Sequence, residues 1–196
     1  MLENFNELTP YVKHIVSTVA DGIIGNRGDA WFTSLLYHQK KRFLNWINNW
    51  QPKENDIATL LKNDDLKILF SNMINNILNE ISDEKLLIWP MVTDSLVRNK
   101  NLDINLKQLF ISYFIKLDAF SIKYLAYLKF NDGIIYSDLV DINLGPLPLN
   151  HVNYTNYLGH LQCVNTGLIF FCSTSNKYKL SELGLQFIDF VSEYSK

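Results

Sequence analysis

The chain reads as a mostly α protein, with a multi-helix N-terminal region packed on a C-terminal winged-helix-like unit that carries a small β-hairpin. Three observations predict this. Apolar residues recur at helical spacing through most of the 196 residues. Ile169, Phe170 and Phe171 make a short apolar strand, Ser173-Thr174-Ser175-Asn176 supplies turn chemistry, and Tyr178 and Leu180 resume a strand. A helix-like segment over residues 149–164 precedes that hairpin, and Ser181 caps a helix after it. Helix, hairpin, helix is the order of a winged helix, which serves DNA readers and protein-binding adaptors alike.

From the start, Val12, Ile15, Val16 and Val19 give a helix over residues 8–20, and Gly22, Gly25 and Gly28 then punctuate the chain. Over residues 30–50, Leu36, Phe43, Ile47 and Trp50 share one helical face beside the basic run Lys40-Lys41-Arg42, and Pro52 stops the helix. Residues 56–62 read as a short helix. Asn63 with Asp64 and Asp65 caps the next, to about residue 81, and Ser82-Asp83-Glu84 repeats the start signal for a helix to about Arg98 that Pro90 should kink. The polar stretch 99–105 reads as the boundary between a helical region, 1–100, and a winged-helix-like domain, 101–196. Leu106, Leu109, Phe110, Tyr113 and Phe114 form the next apolar face, and Asp118 opens a helix with Ile122, Leu125 and Leu128 inward. Asn131-Asp132-Gly133 is a turn, residues 134–140 are a short strand or helix, and Gly145-Pro146-Leu147-Pro148 breaks the chain before residue 149.

Composition is globular, with 47% hydrophobic and 19% charged residues, so the chain can bury its own core. The net charge of −2 gives little long-range attraction to phosphate or anionic lipid. Two cysteines are too few for a disulfide framework, and no basic-then-apolar leader opens the sequence, so a cytoplasmic setting is expected. Residues 11–24 come nearest to a membrane span, but Lys13, His14 and Asp21 interrupt them and no membrane contact is expected.

The order Asp64-Asp65-Leu66 and helix, Ser82-Asp83-Glu84-Lys85-Leu86 and helix, a helix over 106–117, Asp118 and helix, then Leu180-Ser181-Glu182-Leu183-Gly184 resembles the abortive-infection-alpha type of bacterial proteins. Ser181 stands where threonine is usual, and the glycine-rich N-terminal stretch of some members is reduced to Gly22, Gly25 and Gly28. The resemblance implies a role near phage defence and carries no catalytic residues with it.

A DNA reader would place its recognition residues on the helix before the hairpin. Asn150, Asn153, Asn156 and Gln162 have the side chains to pair with adenine edges, and Lys177 and Lys179 to reach phosphates. Yet residues 149–165 contain no Lys or Arg, and from residue 131 onward three lysines face six carboxylates. The basic-aromatic concentration of Arg27, Trp31, Lys40, Lys41, Arg42, Trp46 and Trp50 suits a nucleic-acid backbone, or more simply a solvated helix face beside core tryptophans. His151, His160, Cys163 and Cys172 have the residue types of a zinc site, with His160 and Cys163 one helical turn apart, but the other spacings fit no common finger. No nucleophile elbow, phosphate loop or metalloprotease motif occurs.

The expectation is therefore a non-catalytic bacterial interaction protein, part of a phage-defence or stress module, needing no cofactor and contacting a protein partner or its own copy. The alternative is a winged-helix transcriptional regulator.

Overall fold

The computed structural model describes residues 30–50, 53–135 and 149–192. The predicted helix over 8–20, the glycine turn and the 136–148 connection lie outside them. The chain divides into two compact units, 1–81 and 82–196. The division falls before the polar stretch 99–105, because the helix preceding that stretch packs against the last helix of the chain.

In the first unit, α1 (Ala30–Trp50), α2 (Glu54–Lys62) and α3 (Asp64–Asn79) follow one another. Asn63 ends α2 and caps α3, its Oδ1 accepting from the Leu66 N–H at 3.0 Å. Phe43, Trp46, Ile47 and Trp50 of α1 are buried, as are Phe70, Met73, Ile74 and Ile77 of α3. Trp46 stacks on Trp50 at 5.2 Å, and Phe70 closes on both indoles at 6.0 and 5.5 Å. Aromatic area, rather than strong helix propensity, holds these two helices together.

The second unit opens with α4 (Asp83–Arg98), capped by Ser82, which carries Pro90 inside it. Then come α5 (Ile104–Lys116), α6 (Ala119–Phe130), α7 (Leu149–Asn165), β1 (Ile169–Cys172), β2 (Lys177–Leu180) and α8 (Glu182–Ser192). Asp118 and Ser181 accept from backbone N–H groups three residues on, as their sequence signals predict, and Asp103, inside the stretch 99–105 read as a connector, does the same. The core sets Trp89 against Phe114 at 4.6 Å and Phe110 against Phe187 and Phe190 at 5.8 and 5.4 Å. α4 packs on α8, and α6 packs on both α7 and α8.

The hairpin pairs Ile169 with Leu180 through Cys172 with Lys177, antiparallel. Ile134 bridges Tyr178 on the other edge of β2, so the strand order is Ile134, β2, β1. Gly167, at φ +72°, ends α7 in the left-handed conformation that glycine adopts freely, and the Leu168 N–H returns to the Cys163 carbonyl at 3.0 Å. α8 then lies so close to the hairpin that a Cβ on Gly184 would fall 2.0 Å from the Leu168 carbonyl oxygen. Ile169 is buried, whereas Phe170 and Phe171 are 47% and 51% exposed, so the strand is apolar without being enclosed. Among the described residues no helix is long and apolar enough to cross a membrane.

Candidate functional site

Most of the candidate residues lie on α7 and the hairpin, and the inward side of α7 is a polar joint. Gly159 brings the helix close to α6, where a Cβ would meet the Ser121 backbone nitrogen at 3.3 Å. The Asp118 N–H and the Ser121 hydroxyl both lie within donating distance of Gln162 Oε1, at 3.1 and 2.8 Å. Gln162 Nε2 in turn donates to Asp118 Oδ2 at 3.4 Å. Two residues before Gln162, His160 Nδ1 and the Tyr124 hydroxyl are hydrogen-bonded at 3.0 Å, and the Tyr178 ring stands edge-on to the imidazole at 4.4 Å. Three elements thus meet on one buried imidazole.

Burial lowers the His160 pKa and raises those of Tyr124 and Cys163, so each group is held in its neutral form. Cys163 Sγ lies 3.7 Å from the Ser121 carbonyl oxygen. His160 and Cys163, the weak zinc candidates, are both engaged within the core. No group of three or more metal-ligating side chains forms among the described residues.

The outward side of α7 differs in kind. Leu158, Leu161 and Val164 are exposed, at three-residue steps along one side of the helix. β1 packs beside α7, and its Phe170 and Phe171 are half-exposed. The side chains of Asn150, His151, Asn153 and Asn156 lie outside the described residues; that of Gln162 belongs to the α6 joint. The wing lysines are also occupied, for Lys177 and Lys179 both donate to Asp132, at 3.3 Å to its carbonyl and 2.6 Å to its carboxylate. Lys179 holds that carboxyl below its usual range.

The described members of the basic-aromatic set divide between core and surface. Trp46 and Trp50 are core residues, Arg42 donates to the Leu78 carbonyl at 3.1 Å, and Lys41 is exposed. Arg27 and the side chains of Trp31 and Lys40 lie outside the described residues. At the end of β1, the hydroxyls of Ser175 and Thr174 lower the Cys172 thiol to about 7.

No family model, curated protein or solved structure matches this chain. The signal that marks this surface is one of charge: residues 142–176 contain no Asp, Glu, Lys or Arg. In a chain with 19% charged residues, that run sets α7 and β1 apart from the other described helices and strand of the unit, each of which carries at least one charged residue.

Proposed function

We propose that the protein acts without catalysis, through a protein–protein contact made by the charge-free face of a winged-helix-like C-terminal unit. The observation that carries this reading is the outward side of α7, where Leu158, Leu161 and Val164 stand exposed on a helix with no Lys or Arg. The strand order Ile134, β2, β1 after α6 and around α7 supports a winged-helix arrangement, with α7 in the position of the reading helix. A DNA reader needs cations on that helix or free on the wing, because phosphate contacts supply most of the non-specific affinity. Here the wing lysines are held by Asp132. The resemblance to abortive-infection-alpha proteins implies a bacterial phage-defence or stress module as the setting.

The test is fluorescence anisotropy of mixed-sequence duplex DNA at low and physiological salt. No binding at low salt is expected; tight binding that weakens steeply with salt overturns the reading in favour of a regulator.

A further inference from the structure

We propose that the hairpin is an acid-released latch: a proton taken up by the buried imidazole of His160 frees β2 from the helices beneath it. The inference stands apart from the protein-contact reading, because it concerns what holds the hairpin shut. His160, on α7, is 1% exposed, with the Tyr124 hydroxyl of α6 3.0 Å from Nδ1 and the Tyr178 ring of β2 at 4.4 Å. The elements that meet on this ring are unequal. Tyr124 is fully buried, on a helix packed against both α7 and α8. Every residue of β2 is part-exposed, and β1 buries only Ile169. A hairpin with so little buried surface lies at the low end of local stability, so it is the element that yields when the ring demands water.

A neutral imidazole fits this site and an imidazolium does not. Among the described residues, the titratable groups around the ring are the phenols of Tyr124 on α6 and Tyr178 on β2 and the thiol of Cys163 one turn along α7. The carboxylates of the surrounding elements are engaged elsewhere: Asp118 with Ser121 and Gln162, Asp132 with Lys179, and Asp189 of α8 with Lys129, while Glu182 of α8 is exposed. A buried charge without a counter-charge is costly, and hydration relieves it. The other ties on β2 resist this weakly, since Lys177 and Lys179 meet Asp132 near the surface, where solvent screens the attraction. Burial lowers the His160 pKa, whereas in the opened form the ring meets water and recovers about 6.5. The closed form therefore has its full stability above that pH and loses it as the pH falls below.

Native-state hydrogen exchange of the full chain, followed from neutral to about pH 5, reads the latch through the Tyr178 and Ile134 amides, which bond each other's carbonyls at 2.8 and 3.0 Å. Their opening constant, corrected for intrinsic exchange, should rise by up to about tenfold per pH unit below about 6.5, the slope of a single proton. That opening should barely respond to low urea, since it exposes little surface. The amides of the buried Trp89 and Phe110, on α4 and α5, should stay better protected and exchange with the steep urea dependence of global unfolding. His160→Gln should abolish the acid rise. Where that variant fails to fold, the wild-type His160 ring resonance decides, its titration midpoint coinciding with that of hairpin opening. Hairpin protection that ignores pH, that falls with the urea dependence of Trp89 and Phe110, or that still falls with acid in His160→Gln overturns the proposal, as do separate midpoints.

Discussion

Lys85 and Lys107 each stand near the start of one helix and donate to a carbonyl near the end of the other's. Lys85 Nζ on α4 reaches the Ile115 carbonyl of α5 at 3.1 Å, and Lys107 Nζ on α5 reaches the Leu96 carbonyl of α4 at 2.8 Å. The two helices are therefore antiparallel, each supplying a cation to the other's negative pole and to a carbonyl with no intrahelical partner. Both side chains are buried, and Lys85 also lies over the Phe114 ring at 5.2 Å. Burial alone lowers the Lys107 pKa.

Replacing Lys107 by Met keeps most of the buried stem and leaves the Leu96 carbonyl without its donor. The expected loss is about 1–3 kcal/mol in urea unfolding, the cost of an unmade buried hydrogen bond. A change within experimental error would mean that water serves that carbonyl equally well.

The imidazole joint predicts a pH dependence. His160 has a folded pKa below its ordinary value, so the native state favours the neutral ring. Its contribution to stability is complete above the unfolded pKa of about 6.5. As the pH falls below that, the unfolded chain takes up a proton that the folded chain resists, and stability declines until the native pKa is reached. Chemical denaturation followed from neutral to mildly acidic pH should show this decline in the wild type and a flatter profile in His160→Gln.

Phenylalanines of similar size should divide sharply by position. Phe187 is fully buried against Phe110, and Phe187→Ala should cost about 3–5 kcal/mol. Phe170 and Phe171 are half-exposed, so their replacement by Ala should cost about 1 kcal/mol or less. Equal losses in calorimetry would show that the hairpin phenylalanines are enclosed after all.

The two thiols should differ in reactivity. Cys172, part-exposed and with its pKa lowered to about 7, should react rapidly with a disulfide reagent at neutral pH. Cys163, buried and pushed upward, should react only once the chain unfolds. Counting thiols before and after adding denaturant reads both directly.

Much of the helical layout was legible in the sequence because caps and periodicity are local. Asn63, Ser82, Asp118 and Ser181 each precede a helix by one residue, and their side chains bind its first turn whatever the rest of the chain does. The hairpin turn was legible for the same reason. The α7 face was half legible, since the missing cations were visible along the chain but the split into an inward and an outward side was not.

What the sequence determined by itself, then, was where helices and the hairpin begin and what chemistry their ends carry. The tertiary structure alone decided which side chains face which neighbour. Gln162, read as a base-edge contact, turns to Asp118 and Ser121, because Gly159 allows α7 to approach α6 and the amide satisfies both. Lys85 and Lys107, each unfavourable beside its own helix N-terminus, become favourable at the opposite end of a neighbour. Short-range hydrogen bonds are written in adjacent residues, whereas burial and long-range polar pairing depend on which helices the core brings side by side.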